Sequence, residues 1–272
     1  MRRVRSALFM PASNARAIGK ARGLDCDAVI LDLEDAVAPE QKTAARAQAI
    51  AAAGEGGFGA RRLVLRVNGL DTAWGEADLA AAADAGFDAV LLPKVSTPGD
   101  LALARAQLGA VPLWAMIETC AAMLALPAIV AAPGLACLVA GTNDLAKDMR
   151  CTPGADRLPL LPHLTAIVTA ARAHGLIALD GVSNVLADTP ELAAECAQGA
   201  AFGFDGKTLI HPAQIEPTNR AYAPSDERVA WAQAVIAAFA LPENANKGAI
   251  RVAGEMVERL HLEEAERVVA LV

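Results

Sequence analysis

The sequence predicts a (β/α)₈ TIM barrel with a C-terminal helical arm, on three observations. Short apolar runs alternate with Ala-rich segments of helical period along most of the 272 residues. The runs are continuously apolar rather than alternating, as strands are when a parallel sheet is covered on both faces. Eight strand–helix cycles fit between residues 1 and 222, which suits one closed barrel better than an open sheet.

The strands are expected at residues 7–10, 28–31, 63–67, 89–92, 113–117, 137–140, 177–179 and 201–204. Helical segments follow them at 14–22, 39–53, 77–85, 99–108, 119–130, 164–174, 190–198 and 212–222. Residues 1–222 are therefore read as the barrel domain. Beyond them come a helix at 226–240, a Pro/Asn/Gly-rich break at 242–248 and a polar helix near 263–271. Residues 223–272 are read as an arm or lid that packs on a neighbouring subunit.

Composition excludes several function classes. With 54% hydrophobic residues the chain can bury a large core and is not disordered. Lys and Arg total 24 against 31 Asp and Glu, a net charge of −7, and no basic run goes beyond Arg2-Arg3. That balance argues against a nucleic-acid partner, as do aromatics at only 4%. The longest charge-free run, 119–143, is long enough for a bilayer, but Pro127, Pro133-Gly134 and Gly141 cut it into a helix, a turn and a strand. No membrane span is expected, and the apolar stretch at 7–11 is too short for a signal peptide. The five cysteines show no C-x-x-C spacing, which suggests reduced thiols, a cytoplasmic location and no zinc site.

In such barrels chemistry sits where the strands end. Here the strands run into Asp32-Leu33-Glu34-Asp35, Arg66-Val67-Asn68, Pro93-Lys94, Glu118-Thr119, Gly141-Thr142-Asn143-Asp144, Asp180-Gly181 and Gly206-Lys207. The expectation is that these charges share one rim. A single acid after a strand is more often a helix cap than a ligand, and Asp32, Asp35 and Asp180 could each be that. Glu118 and Asp144, however, bracket the charge-free run and come from adjacent strands. A shared divalent cation would resolve their repulsion, and hard oxygen donors without Cys or His suit Mg²⁺, with Mn²⁺ as its substitute. The backbone around Gly141, Thr142 and Asn143 offers N–H groups to a substrate carboxylate. Arg66 is the substrate-gripping candidate, because its planar fork pairs bidentately with carboxylates. An internal ion pair with Asp32, Glu34 or Asp35 is its competing role, and both can hold at once.

Lys94 and Lys207 raise Schiff-base chemistry, although nearby acids favour ion pairing. His211 precedes Pro212 at a helix start, where a structural hydrogen bond is at least as good an account as catalysis. His163, His174 and His261 have no constellation around them. Arg16 and Lys20 share one face of a helix, which makes either a solvated face or a contact for an anionic cofactor tail.

Taken in order, these segments resemble the HpcH/HpaI aldolase superfamily in its citrate lyase β-subunit-like branch. The resemblance rests on Arg5-Ser6-x-Leu8-Phe9-x-Pro11, Asp32-Leu33-Glu34-Asp35-Ala36-Val37, Arg66-Val67-Asn68, Leu92-Pro93-Lys94-Val95, Ile117-Glu118-Thr119 and Gly141-x-x-Asp144-Leu145. Asp180-Gly181 and Gly203-Phe204-x-Gly206-Lys207-x-x-Ile210-His211-Pro212-x-Gln214 complete it. Any one motif is weak, and together they span nearly the whole chain.

The resemblance implies an oligomeric barrel, often a homotrimer, that binds Mg²⁺ and cleaves or forms C–C bonds in citryl, malyl or citramalyl thioesters of CoA or acyl carrier protein. It implies metal ligation by Glu118 and Asp144, a 2-oxo acid near Arg66 and the amides from Gly141 to Asp144, and CoA phosphates near Arg16 and Lys20. Glu34 joins Arg66 as a candidate catalytic residue. Cleaving a 3-hydroxyacyl thioester requires loss of the hydroxyl proton and stabilisation of an enolate. The cation is expected to serve the first, and Arg66 the second, at a cost on the order of 10²–10³ in rate if lost.

Related lyases supply an Asp base from the neighbouring subunit's arm, in a Met-Ile-Asp segment. The corresponding stretch here is Gly254-Glu255-Met256-Val257-Glu258, which puts Glu258 in that place. Its competing role is as one charge on a polar surface. Two alternatives stand beside the lyase: a metal-dependent aldolase acting on a free 2-oxo acid, and a non-catalytic subunit of a lyase complex.

Overall fold

A computed structural model describes residues 3–271, which form two compact units dividing between Tyr222 and Ala223. In the first unit, parallel strands β1 (Ser6–Pro11), β2 (Ala28–Asp32), β3 (Arg62–Arg66), β4 (Ala89–Leu92), β5 (Leu113–Ile117), β6 (Leu135–Ala140), β7 (Ile177–Asp180) and β8 (Gly206–Leu209) follow one another around a closed barrel. The pairing of Ala7 with Thr208 closes it. Between and after the strands lie α1 (Ala15–Ala21), α2 (Lys42–Glu55), α3 (Gly75–Ala82), α4 (Pro98–Leu108), α5 (Cys120–Ile129), α6 (Thr142–Asp148), α7 (Leu161–Ala173), α8 (Pro190–Phe202) and α9 (Ile215–Ala221). The chain is a (β/α)₈ barrel, as its pattern of runs predicts.

Each strand divides its side chains between two cores by the two-residue period of extended backbone. One phase, with Ala28, Ile30, Val64, Leu91, Trp114 and Val139, fills the barrel interior. The other, with Val29, Leu31, Leu65, Val90, Ala115 and Leu138, packs under the helices. Alanines such as Ala45, Ala49 and Ala52 let α2 sit close on the sheet. Trp114 is fully buried in the interior, and truncating it to Ala would cost roughly 3–5 kcal/mol.

This parity also sorts the strand-end charges. Asp32 follows Ala28 and Ile30 in the inner phase, Arg66 follows Val64, and Glu118 follows Trp114 and Met116. Asp180 shares its phase with Ala178, and Lys207 with Leu209, both of the outer core. The expectation of one rim for all of them is corrected: Asp180 and Lys207 belong to the helix layer.

Side-chain caps start several of the barrel helices. Thr119 accepts from the Ala122 N–H, Thr189 from the Leu192 N–H, and Thr97 forms a capping box with Asp100.

The predicted eighth strand was misplaced. Residues 201 and 202 end α8, Gly203 terminates it with φ 91°, and the strand follows at Gly206–Leu209. Lys207 and Thr208 hide that strand from a hydrophobicity reading, yet all four of its residues are buried. Gly206 is required there, because a Cβ would come within 2.0 Å of the Val4 carbonyl oxygen. The short α6 also went unpredicted. No helix among the described residues is long and apolar enough to cross a membrane.

The second unit contains α10 (Asp226–Phe239), the antiparallel pair β9 (Ala249–Val252) and β10 (Glu255–Glu258), and α11 (Arg259–Val269). Ala253 and Gly254 both have positive φ in the two-residue turn, as a type I′ hairpin requires. Its own small core joins Ala232, Val235, Phe239, Ile250, Val257 and Ala265.

Candidate active site at the barrel mouth

Arg66 is the centre of a buried charge cluster. Its Nε and Nη2 donate to the two oxygens of Asp32 at 2.7 and 2.6 Å, a bidentate pair. Asp32 also accepts from the N–H groups of Glu34 at 2.9 Å and Ala36 at 3.1 Å, so it shapes the loop that carries the other acids. The remaining guanidinium edge, Nη1, lies 2.8 Å from Glu34 Oε2, 3.5 Å from Asp35 Oδ2 and 3.6 Å from Met116 Sδ. The Glu34 contact is an ion pair whose alignment is too poor for a hydrogen bond. Phe9 lies against the guanidinium, with its ring centroid 4.7 Å away. Burial alone would ease the proton off Arg66, but Asp32, Glu34 and Asp35 outweigh it and raise the proton affinity. The internal ion pair therefore exists, and it leaves one edge of the fork on a cavity.

Glu118 directly follows β5 and is almost completely buried. Its Oε1 accepts from the Lys94 N–H at 2.6 Å, and Lys94 adopts φ 51° to present that group. Glu118 Oε2 is buried without a hydrogen-bond partner. It rests on Gly141, where a Cβ would come within 2.3 Å of Glu118 Cβ and 2.5 Å of Oε2. Burial, helped by the nearby charges of Glu34 and Asp144, pushes the Glu118 carboxyl up to about 7 against the pull of Lys94. Asp144 stands in the first turn of α6, one-third exposed. Lys94 Nζ bonds Glu34 Oε1 at 2.9 Å and lies 3.9 Å from Asp144. Burial works against its proton, but Glu34, Glu118 and Asp144 together raise its proton affinity.

Asp32, Asp35, Arg66, Glu118 and Asp144 face one cavity of about 290 Å³, whose apolar side includes Phe9, Met116, Val182 and Ile210. Thr142 and Asn143 line it as well. An unpartnered buried carboxylate oxygen beside a second carboxylate is what a divalent cation compensates. No group of three or more His, Cys, Asp or Glu suited to a metal exists among the described residues. A two-carboxylate site fits Mg²⁺, which keeps several positions for water and substrate oxygens.

The other sequence candidates fall elsewhere. Glu34 pairs with Lys94 and Arg66 and is not part of the cavity wall. Arg16 and Lys20 are exposed on α1, also outside the cavity lining. Glu258 belongs to the second unit, where its side chain caps α11 in a capping box with His261. His211 Nδ1 accepts from the Ala213 N–H at 3.2 Å, the structural hydrogen bond weighed for it. Lys207 is fully buried against Asp180 and Glu195, and the partly exposed Lys94 pairs with Glu34, so both lysines are ion-paired.

Sequence reasoning missed Lys42. Its Nζ donates to the carbonyls of Leu33 and Glu34 at 2.9 Å each and to Asn68 Oδ1 at 2.6 Å, pinning the acidic loop to the end of β3. The signal was available: Lys42 is in helical phase with buried Ala45, Ala49 and Ala52.

Residues 5–212 match the family model described as HpcH/HpaI aldolase/citrate lyase. The chain is 47% identical over 266 residues to a (3S)-malyl-CoA thioesterase of Cereibacter sphaeroides (strain KD131), covering 98% of this chain and 93% of that one. It is 33% identical over 279 residues to the citrate lyase subunit beta of Leuconostoc mesenteroides, covering 98% and 92%. Among solved structures it is similar to the protein CitE from Mycobacterium tuberculosis in complex with magnesium, acetoacetate and coenzyme A. That similarity has a TM-score of 0.81 and 32% identity, over 98% of this chain and 97% of that one.

Proposed function

The chain belongs to the HpcH/HpaI aldolase/citrate lyase family, and from that premise we propose that it hydrolyses the CoA thioester of a malyl-type hydroxydicarboxylic acid at the barrel mouth. Glu118 and Asp144 hold a divalent cation in this reading. The observation that carries it is Glu118, with one buried oxygen unpartnered, lining the same cavity as Asp144 and Arg66. The relative named (3S)-malyl-CoA thioesterase supports the acyl group and the bond broken. The magnesium and coenzyme A of the CitE structure support the cation and the thioester.

A cation at this pair supplies Lewis-acid charge to substrate oxygens. Everything else falls to the chain's own residues. The N–H groups at the start of α6, around Thr142 and Asn143, receive the substrate carboxylate. Asp32 holds the Arg66 fork so that Nη1 meets the oxyanion that develops when water attacks the thioester carbonyl. Such preorganised charge needs no rearrangement as the reaction proceeds. Asp35 lines the cavity beside Nη1 and is the carboxylate placed to take the water's proton. The carbon–sulfur bond then breaks, and the departing thiolate takes up a proton. Phe9, Met116, Val182 and Ile210 shield the reacting carbon from bulk water.

Carbon–carbon cleavage to a 2-oxo acid and an acyl thioester is the second reading, favoured by the family and by the citrate lyase subunit beta relative. It uses the same cation pair and Arg66, but needs a proton-transferring group at the acyl α-carbon. The Glu258 side chain is engaged in capping α11, which favours hydrolysis.

Product analysis separates the readings. Malyl-CoA is incubated with the protein and Mg²⁺, and free CoA thiol, malate, acetyl-CoA and trapped glyoxylate are quantified. Hydrolysis yields CoA and malate in equal amounts, and the lyase yields acetyl-CoA and glyoxylate. Absence of CoA binding would favour an aldolase of free 2-oxo acids. Binding without turnover of malyl-, citramalyl- or citryl-CoA would favour a non-catalytic subunit.

A further inference from the structure

Behind the cavity, the segment from Gly181 to Val185 is held at three backbone carbonyls by two side chains with no exposed surface. Lys207 Nζ donates to the Gly181 carbonyl, to Asp180 Oδ2 at 3.2 Å and to Glu195 Oε1 at 2.7 Å, which uses all three of its donors. Gln214 Nε2 donates to the carbonyls of Ser183 at 3.0 Å and Val185 at 2.8 Å. Its Oε1 accepts from the N–H groups of Ile210 at 2.9 Å and His211 at 3.1 Å, so all of its capacity is used at the β8 end. The Gly181 N–H is fixed by Asp180 Oδ1 at 2.8 Å.

The segment presses directly on the cation loop. A Cβ at Gly181 would come within 2.4 Å of Thr142 Oγ1 and 2.7 Å of the Ala140 carbonyl oxygen. Thr142 is the first residue of α6, whose first turn carries Asp144. Val182 faces the cavity itself. A buried ion pair is weak evidence for stability, since apolar residues of similar volume often serve as well or better. Geometry is the better account of this network, because every polar atom of both side chains is used and three of their bonds fix carbonyls of one wall.

We propose that Lys207 and Gln214 are positioning residues that set the Gly181–Val185 wall against Thr142 and thereby place Asp144 to share a cation with Glu118. The inference rests on the cation reading above. Neither residue touches substrate. They act as outer partners do at metal sites, where substitution typically costs about 10–100-fold in metal affinity or activity.

The test uses the full chain and isothermal titration with Mg²⁺ and with Mn²⁺. Gln214→Glu keeps the side chain's shape and its two acceptor bonds, but turns the donors toward Ser183 and Val185 into an oxygen that repels both carbonyls. Lys207→Arg keeps the charge but misfits the three acceptors. Each variant is expected to keep its circular dichroism spectrum, to bind Mg²⁺ at least about tenfold more weakly, and to lose kcat more than KM changes. A folded variant with affinity within twofold of the parent overturns the inference. So does loss of folding in both variants, which would make the two residues general supports of the barrel. Absence of cation binding by the parent chain overturns the cation site itself, and this inference with it.

Discussion

Replacing Arg66 with Met should damage stability and chemistry by separate, calculable amounts. The substitution removes both bonds to Asp32, at 2.7 and 2.6 Å, and leaves that carboxylate only 1% exposed. Breaking a buried pair from one side typically costs about 3–5 kcal/mol. The lower end applies, because Asp32 keeps the N–H groups of Glu34 and Ala36 as donors. At about 2–4 °C per kcal/mol for a chain of this size, the midpoint of thermal unfolding should fall by roughly 6–12 °C. Loss of the Nη1 charge at the cavity should lower kcat/KM by on the order of 10²–10³, measured well below the new midpoint. Arg66→Lys should recover part of the stability and little of the rate, because an ammonium cannot span both Asp32 oxygens while reaching the cavity. The assays are thermal unfolding by circular dichroism and initial rates with malyl-CoA. A midpoint shift under 2 °C together with kcat/KM within fivefold of the parent would refute the reasoning.

Four further outcomes follow from the same geometry. Cation binding should depend on pH, because Glu118, pushed up to about 7, must lose its proton to ligate. Apparent Mg²⁺ affinity should rise about tenfold per pH unit below 7 and level off above it, with one proton released per ion at pH 6 by titration in buffers of different ionisation enthalpy. The sign for stability is opposite: a carboxyl with a raised folded pKa stabilises the metal-free fold below about 4.5, and that contribution is lost as pH rises through 7. Glu118→Gln should therefore gain stability over the metal-free parent as pH rises from 5 to 8, read by thermal unfolding. Gly141→Ala should cut Mg²⁺ affinity by more than about tenfold, because its Cβ would meet Glu118 Cβ at 2.3 Å. Glu258→Gln should cost the folded state about 1 kcal/mol or less, as an altered cap of α11, and leave malyl-CoA hydrolysis within threefold. A hundredfold loss of turnover would instead make Glu258 the base of a lyase.

The barrel was legible in the sequence because its strands are apolar on both faces and alternate with Ala-rich segments of helical period. The exception is β8, where Lys207 and Thr208 interrupt the hydrophobic signal although both are buried. They can be buried because Asp180, Glu195 and backbone carbonyls receive them, and those partners come from distant parts of the chain. Glu118, Asp144 and Arg66 were legible because each is an isolated charge at the end of an apolar run. Parity places Asp180 with Ala178 and Lys207 with Leu209 in the outer core, but that separation needed the structure, because β8 itself is hidden in the sequence. Arg157 had no such signal. It adopts φ 54° in a loop and reaches Asp180 at 2.8 Å only because the fold brings that loop over β7. Lys42 was masked by its charge at an otherwise alanine-lined helix position.

The most direct measurement of the central claim is turnover of malyl-CoA by EDTA-treated protein as Mg²⁺ is titrated back, in the parent and in Glu118→Ala. The account predicts no turnover without the cation, recovery along a saturating Mg²⁺ curve with CoA and malate as products, and no recovery in the variant. Undiminished turnover in EDTA, or a Glu118→Ala variant as active as the parent, would contradict it.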